Sequence, residues 1–154
     1  AGSAPSRGKE KHPMSARSIF WDVDTQADFI HPGGQLYVPG AEKILPNLAR
    51  LTHWAQEHKV HIVASADAHQ ERDEEFQLYP PHCLAGTPGQ KKVPETMLEK
   101  PTVIPNRPTE LPPDLTAAGQ IILEKQKFDV FTNPNTEPLL ARLAGTSKSP
   151  CTAW

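Results

Sequence analysis

The chain has 154 residues, and its 16 Lys and Arg against 18 Asp and Glu give a formal net charge of −2 at pH 7. This balance excludes a strongly basic protein that binds nucleic acid through bulk charge. No apolar run approaches the roughly 20 residues of a membrane-spanning helix, and two cysteines cannot form a disulfide framework. We therefore expect an intracellular, cytoplasmic protein that binds neither nucleic acid nor membranes.

The chain divides into a leader and a single domain. Residues 1–17 contain almost no apolar side chains, so we interpret them as a flexible leader or a remnant of expression. Residues 18–154 are long enough for one compact core and are interpreted as one domain. The 17 prolines are about twice the usual share of roughly 5%, which predicts long structured loops and argues against a helical bundle.

The first half of the domain predicts a strand–helix–strand unit. A nearly continuous apolar run over 18–23 indicates a buried strand, and a second such run covers 60–65. Between them, apolar residues recur at helical spacing over 41–58, with Pro46 in the first turn or at a kink. Elements of these lengths predict a right-handed crossover and a parallel sheet, so the expected fold class is α/β.

The second half predicts two more strands and a helix. The strands are expected at 102–104 and 121–124, and the helix at 136–144 with Thr136 as its N-cap. Residues 66–120 are otherwise polar and rich in proline. Because a loop region this long within a compact domain is usually functional, we expect site residues in it.

The strongest candidate for a functional site is a metal centre. Asp67 and His69 come at the end of the second predicted strand, and side chains at positions i and i+2 of a strand point the same way. His82 follows 13 residues later, and Glu75 is a candidate fourth ligand. A mixed set of carboxylates and imidazoles suits Zn, Fe or Mn. The alternative is that all four are solvated loop residues.

Two charged residues follow other predicted strands. Asp24 comes directly after the first strand and is placed to act as a general base, with a turn acid as the alternative. Lys125 comes directly after the strand at 121–124, where a lysine can shift the pKa of a base or stabilise negative charge. The alternative there is a solvent-exposed lysine. Because ligand sites lie beyond the carboxyl ends of parallel strands, Asp24, Asp67 and Lys125 are expected on one rim.

Two cysteines and a tyrosine leave alternatives open. Cys83 is a candidate nucleophile, but a buried packing role is the better interpretation because no turn is predicted there that would support a nucleophile. Cys151 lies in a Ser/Pro/Thr tail without a predicted scaffold. Tyr79, which precedes two prolines, is either an aromatic wall of a pocket or a packing residue.

Five motifs occur along the chain in an order that resembles one known family. They are Asp24-Thr25-Gln26-Ala27-Asp28-Phe29, Gly33-Gly34-x-Leu36, Asp67-x-His69, Tyr79-Pro80-Pro81-His82-Cys83-x-x-Gly86-Thr87-Pro88-Gly89 and Glu124-Lys125-x-x-Phe128-Asp129-x-Phe131. Over about residues 18–145 the chain resembles the isochorismatase-like cysteine hydrolase superfamily, and within it the metal-dependent nicotinamidases. The resemblance implies a three-layer α/β/α sandwich around a six-stranded parallel sheet.

The resemblance also implies roles for individual residues. Members of the family use an Asp-Lys-Cys triad, in which Asp24 is the implied base and Lys125 the implied cationic partner. Phe29 and Tyr79 match positions that wall the ring of the substrate. The implied metal ligands are Asp67, His69 and His82, with Glu75 in the place of a variable fourth ligand. Zinc is the expected metal, with iron or manganese as alternatives.

The reaction implied by the resemblance is the hydrolysis of nicotinamide to nicotinate and ammonia. In the family, a cysteine attacks the amide carbonyl, ammonia leaves, and water hydrolyses the thioester. Backbone N–H groups stabilise the oxyanion, and the metal binds the pyridine nitrogen and orients the ring. The chain is therefore expected to be a hydrolase of NAD metabolism with a small-molecule amide as its substrate.

One motif of the family is missing from the sequence. The family's nucleophilic cysteine lies in a Gly-Val-x-Thr-x-x-Cys type of turn beyond the lysine, and residues 148–154 depart from that pattern. We therefore expect a truncated domain with incomplete C-terminal strands that binds metal but fails to hydrolyse amides by the family route. The open sheet edge then favours a homo-oligomer. Two alternatives are a relative that acts on a carbamoyl amide or vinyl ether, and a non-catalytic domain that binds metal or a partner.

Overall fold

The computed structural model describes residues 18–117 and 119–145 of the chain. The interpretation of 1–17 as a leader and the expectations for 148–154, including Cys151, lie outside the described residues. The described elements are β1 (Ile19–Val23), α1 (Ala27–Ile30), α2 (Leu45–Glu57), β2 (His61–Asp67), β3 (Thr102–Ile104), β4 (Gln120–Lys125) and α3 (Thr136–Leu143). Among these residues no helix combines the length and apolar character needed to cross a membrane.

The described strands form one parallel sheet in the order β1-β2-β4-β3. In the centre of the sheet, β2 and β4 pair from Ile62 opposite Gln120 to Asp67 opposite Lys125. All four strands therefore end at the same edge, which is where ligands bind in open α/β sheets. The prediction of a parallel α/β fold is confirmed, with four strands in the described part of the chain.

Helices cover the two faces of the sheet and make three layers. On one face, Val63, Ile121 and Leu123 pack with Leu139 and Leu143 of α3. The same core also contains the buried residues Ile104, Leu111 and Leu115. Side chains alternate between faces along a strand, so Phe20 lies on the other face, where it stacks on Trp54 of α2 with ring centroids 5.6 Å apart.

β1 lies at the edge of the sheet and is less buried than the sequence predicts. Its first four residues are half-buried and Val23 is exposed. Among the described strands β1 has one neighbour, β2, so side chains on its outer side meet no further strand. Leu51 and Trp54 of the adjacent helix α2 are also exposed.

The ends of three predicted elements differ from the structure. β2 and β4 extend to Asp67 and Lys125, so these residues end the strands and do not follow them. The helix expected from residue 41 begins as a 3₁₀ turn over Ala41–Ile44, and Pro46 lies in the first turn of α2, where its missing N–H costs nothing.

The prediction of Thr136 as the N-cap of the last helix is wrong, because Asn135 occupies that position. The Thr136 hydroxyl instead donates a hydrogen bond to the carbonyl of Val130 at 2.8 Å. The Asn135 amide donates to the carbonyls of Pro105 and Arg107, at 3.1 and 2.8 Å. The turn before α3 is therefore organised by contacts with a distant loop, which a local capping pattern does not show.

Asp28, in the short helix α1, fixes two loops at the carboxyl edge of the sheet. Its carboxylate accepts hydrogen bonds from the backbone N–H of Cys83 at 2.7 Å and of Gln35 at 3.1 Å. A Cβ at Gly89 would overlap the Asp28 carboxylate, and one at Gly34 would overlap the Asp28 backbone. These two glycines allow both loops to pack against α1, and so they shape the rim around the candidate site.

Candidate active site

Three buried side chains gather at the carboxyl end of β2. Asp67 ends the strand, His69 follows it, and His82 arrives from the loop beyond. One potential ligand atom from each residue lies within 4.8 Å of the other two. The relative exposure of these residues is 5%, 1% and 1%, so the alternative of solvated loop residues does not hold. The three residues that the sequence analysis selected by their spacing thus form a buried cluster of side chains of the kinds that bind metals.

Hydrogen bonds on the far side of both imidazoles fix their tautomers. His69 Nδ1 lies 2.9 Å from Asp73 Oδ2, and His82 Nδ1 lies 2.8 Å from the carbonyl oxygen of Pro80. A carboxylate and a carbonyl can only accept, so each Nδ1 carries the proton. In the neutral imidazoles each Nε2 then presents a lone pair to the centre of the cluster, which is the arrangement of metal-binding histidines.

The centre of the cluster lacks a hydrogen-bond donor. His69 Nε2 is buried and has no hydrogen-bond partner among the described residues. Asp67 Oδ2 lies 3.6 Å from His69 Nε2 and 3.8 Å from His82 Nε2, beyond hydrogen-bond distance. With both imidazoles neutral, these converging lone pairs are costly when buried, and a divalent cation would satisfy them. The ligand atoms of the cluster therefore fit a transition metal.

Glu75 faces the same centre from a fourth side. It lies in a 3₁₀ turn over Glu74–Gln77, and its carboxylate oxygens are 3.9 Å from His69 Nε2 and 3.7 Å from His82 Nε2. Phe76 of the same turn packs on both imidazoles, with ring centroids 5.1 and 5.6 Å away. The turn therefore brings a fourth side chain and second carboxylate to the cluster and covers the two rings with an apolar side chain.

An ion-pair network joins the cluster to Asp24. Lys125 ends β4, and its Nζ lies 2.5 Å from Asp67 Oδ1 and 3.0 Å from Asp24 Oδ2. Ser65 donates its hydroxyl proton to Asp24 Oδ1 at 2.6 Å. Lys125 is 2% exposed, so the alternative of a solvated surface lysine is wrong, and the Coulomb attraction is weakly screened by water.

Charges in and around this network shift the pKa values of Lys125, Asp67 and His69. Burial alone would lower the pKa of Lys125, but the hydrogen bond to Asp67 and the charges of Asp67 and Asp24 outweigh burial and raise it. Burial alone would raise the pKa of Asp67, but His69 and Lys125 hold it below its usual range. Burial alone would lower the pKa of His69, but Asp67 and Asp73 raise it. The carboxylates thus favour a positive charge at this edge of the sheet, which a proton on His69 or a bound metal ion would supply.

Gln26 holds the end of β2 in place beside this network. Its side-chain amide donates to the carbonyls of Asp67 at 2.8 Å and Gln90 at 2.7 Å. Its amide oxygen accepts from the Asp67 N–H at 2.7 Å. Because Gln26 is completely buried and bonded at both ends, it fixes the peptide that carries the Asp67 carboxylate.

A cavity of about 410 Å³ opens over the network and the cluster. Asp24, Asp67 and Lys125 lie on its polar side, together with His82 and Glu75. Its aromatic side is formed by Phe29, Tyr79 and Phe128. Tyr79 and Phe128 pack edge to face with centroids 6.1 Å apart, and Phe29 lies 5.4 Å from the His82 ring. The cavity is large enough for a small aromatic ligand next to charged groups.

Cys83 is not placed to be a nucleophile. The residue is completely buried, and its Sγ lies 3.8 Å from the carbonyl oxygen of Gly89. Burial, the carboxylates of Asp67 and Asp28, and that of Asp24 all raise the pKa of the thiol far above its usual value. A thiol held in this way does not form the thiolate that attacks a carbonyl, and the interpretation of Cys83 as a packing residue fits the structure.

Comparison with known proteins identifies the family. The family model described as the isochorismatase domain matches residues 20–147. The chain belongs to the isochorismatase family. No curated protein matches the chain. The membership agrees with the resemblance seen in the sequence motifs and with the parallel α/β fold.

Solved structures of isochorismatase-like proteins share the fold. The pyrazinamidase of Pyrococcus horikoshii in complex with zinc is 30% identical, with a TM-score of 0.53 over 73% of this chain and 54% of its own. N-carbamoylsarcosine amidase from Thermoplasma acidophilum is 24% identical, with a TM-score of 0.60 over 82% and 61%. Nicotinamidase from Bacillus subtilis is 23% identical, with a TM-score of 0.60 over 82% and 64%. The chain spans about three fifths of the length of these structures.

Sequence reasoning gave no role to several residues of the site, among them Asp73, Ser65 and Phe128. Asp73 and Ser65 contact His69 and Asp24 directly, and Phe128 completes the aromatic side of the cavity. Phe128 stands three residues after Lys125 in a quoted motif, so its position was available as a signal. Asp73 and Ser65 carried no such signal, because polar residues are common in loops and on strands.

Proposed function

We propose that the chain carries the metal and amide site of a nicotinamidase-like amidohydrolase of the isochorismatase family, in which hydrolysis needs a cysteine thiol that the described residues do not supply. The observation that carries the proposal is the convergence of two imidazole Nε2 atoms and two carboxylates on one point, in the same cavity as the Asp24–Lys125 pair. The zinc in the structure of the 30% identical pyrazinamidase supports it. The substrate class in this proposal is an aromatic amide, with nicotinamide as the first candidate.

In this proposal a divalent transition metal belongs to the site. Asp67, His69, His82 and Glu75 would hold it, and zinc is the first candidate, with iron and manganese as alternatives. When bound, the metal supplies a Lewis acid that can take the ring nitrogen of a pyridine amide as a ligand. The chain's own contribution is a set of buried ligand atoms at the end of β2, with each imidazole held by a hydrogen bond at Nδ1.

The remaining residues of the cavity orient the amide and manage its protons. Phe29 and Tyr79 are proposed to hold the flat ring between them, with the amide directed toward Asp24. In the family reaction Asp24 Oδ2 would accept the proton of a cysteine thiol and pass it to the amide nitrogen, which then leaves as ammonia. Lys125 pairs with Asp24 Oδ2 at 3.0 Å and keeps this carboxylate directed into the cavity.

The thiol in this scheme does not come from the described residues. The free cysteine among them is Cys83, which is buried and does not line the cavity. We propose that the chain binds metal and the amide but releases no ammonia. A chain of this kind is the non-catalytic, metal-binding domain named above as an alternative. The burial of Cys83 is the observation that favours it.

Binding and hydrolysis of nicotinamide test the proposal separately. Isothermal titration should show that nicotinamide binds the zinc-loaded chain more tightly than benzamide, which lacks the ring nitrogen, and that chelation of the metal abolishes the difference. Equal binding of both amides with and without zinc would reject the proposed substrate class. A carbamoyl amide that binds in place of nicotinamide would assign the site to another substrate of the family.

Ammonia release tests the role of the cysteines. The zinc-loaded chain is expected to release none from nicotinamide. If ammonia appears, the proposed inactivity is wrong, and comparison of Cys83→Ala with Cys151→Ala identifies the working thiol. Release that persists in both variants would exclude a cysteine mechanism.

A further inference from the structure

We propose that Asp73 is a positioning residue of the metal site, which fixes His69 in its Nδ1-protonated tautomer and turns Nε2 toward the ligand centre. This inference rests on the proposed metal site. Asp73 is not one of the four candidate ligands. It acts on the opposite side of the His69 ring and therefore through that imidazole alone.

The position of the Asp73 carboxylate is itself fixed by the chain. Asp73 Oδ2 accepts from His69 Nδ1 at 2.9 Å and from the backbone N–H of Gln70 at 3.0 Å. The Asp73 N–H donates back to the Gln70 carbonyl at 3.1 Å. The turn between Gln70 and Asp73 is thus closed by its own hydrogen bonds, and the carboxylate arrives at His69 already oriented.

The two imidazoles of the cluster differ in the group behind them. His82 donates its Nδ1 proton to the neutral carbonyl of Pro80, whereas His69 donates to the charged carboxylate of Asp73. A carboxylate behind an imidazole makes the other ring nitrogen a stronger donor to a metal than a carbonyl does. His69 is therefore the stronger imidazole ligand of the pair, and this difference comes from Asp73.

Loss of the Asp73 carboxylate would change which nitrogen of His69 carries the proton. Without an acceptor the buried Nδ1–H is unsatisfied, which is costly. The Nε2-protonated tautomer then becomes favourable, because Nε2 lies 3.6 Å from Asp67 Oδ2 and can approach it as a donor. An Nε2 that carries a proton cannot bind a metal. Metal affinity should fall although none of the four candidate ligands has been altered.

Two variants of Asp73 and one matched control test the inference in the full chain. Asp73→Ala removes the acceptor, and Asp73→Asn retains an acceptor oxygen without the charge. Glu74→Ala removes a carboxylate one residue along the chain whose side chain is 83% exposed and pairs with Lys127. Zinc affinity is measured by competition with a chromophoric chelator. The tautomer of His69 is read from its ¹⁵N chemical shifts in the chelator-treated protein.

The expected results separate positioning from general damage. Asp73→Ala should weaken zinc binding by about 10–100-fold and shift His69 to the Nε2-protonated tautomer. Asp73→Asn should keep the tautomer and lose less affinity, while Glu74→Ala should change neither. Unchanged zinc affinity in Asp73→Ala, or an unchanged His69 tautomer in that variant, would overturn the inference. If the parent binds no zinc, the proposed metal site fails, whereas the tautomer comparison still decides the role of Asp73.

Discussion

Asp67 and Lys125 are the last residues of two neighbouring parallel strands and lie directly opposite each other in the register. Their side chains form an ion pair at 2.5 Å, and Lys125 also pairs with Asp24 at 3.0 Å. The strand register therefore places one buried cation between two carboxylates. The ion pairs of Lys125 therefore join the ends of β2 and β4 and also hold the two carboxylates of the candidate site.

Replacement of the buried lysine should strongly destabilise the chain. In Lys125→Met the Asp24 and Asp67 carboxylates face each other without a cation, which costs about 3–5 kcal/mol for a buried pair. The free energy of unfolding is measured by urea denaturation. Lys127→Met is the matched control, since the Lys127 side chain is 58% exposed and its pairing with Glu74 should contribute about 0–1 kcal/mol. Equal losses in the two variants would show that the Lys125 network does not stabilise the fold.

Asp22 and Lys92 form a second buried ion pair. We expect that apolar residues can replace both members together without loss of stability, but not Lys92 alone. Lys92 Nζ lies 2.6 Å from Asp22 Oδ2, and burial lowers the pKa of Lys92 although Asp22 opposes the shift. Lys92→Met leaves a carboxylate without its cation and should cost about 3–5 kcal/mol, whereas Asp22→Val with Lys92→Met should be neutral or stabilising. Thermal and urea unfolding of the single and double variants measure the coupling. A double variant as unstable as Lys92→Met would contradict this account.

The Tyr37–Glu42 hydrogen bond predicts a shift in a tyrosine titration. The Tyr37 hydroxyl donates to Glu42 Oε2 at 2.6 Å, and this bond raises the pKa of Tyr37 and lowers that of Glu42. The raised pKa of Tyr37 means that its contribution to stability is present below its usual pKa of 10.0 and is lost as pH rises through the folded value. The lowered pKa of Glu42 means that its contribution is lost as pH falls through the folded value.

Glu42→Gln should therefore lower the pKa of Tyr37 toward its usual value. Tyrosinate absorbance, followed as pH rises, measures the change in a chain with two tyrosines. Glu99→Gln, at an exposed position, is the control and should leave the titration unchanged. Superimposable curves for the parent and Glu42→Gln would refute the proposed effect of this hydrogen bond.

The close approach of Gly34 to α1 should make this position intolerant of a side chain. A Cβ there would overlap the backbone of Asp28, which cannot move without disturbing the helix, so Gly34→Ala should cost about 1–3 kcal/mol. Gly119→Ala is the control, because its Cβ would meet the flexible end of Leu98. Urea denaturation compares the two variants. The packing argument would be wrong if Gly34→Ala were as stable as Gly119→Ala.

The sequence predicted the main elements and the grouping of the site, because these depend on regular patterns. Apolar runs and helical spacing located β1, β2, β4 and α2, and β3 was predicted with its observed bounds. Since the carboxyl ends of parallel strands share one edge, positions at strand ends were enough to predict that Asp24, Asp67 and Lys125 lie together.

Features that depend on contacts between distant segments could not be predicted in the same way. The helix α1 has four residues, too few for a periodic pattern, and is held by contacts with the loop after His82. Asn135 replaces Thr136 as the cap residue because loop carbonyls bind its side chain. Asp73 contacts His69 through a turn whose geometry the sequence does not specify.

Zinc content, measured by plasma mass spectrometry on gel-filtered protein, tests the proposed metal centre most directly. The parent and His53→Ala, which removes an exposed histidine on α2, should retain near-stoichiometric zinc after loading and gel filtration. His69→Ala should lose most of it, because a buried ligand has been removed from the cluster. Equal zinc content in His69→Ala and the parent would contradict the assignment of the metal site to the end of β2.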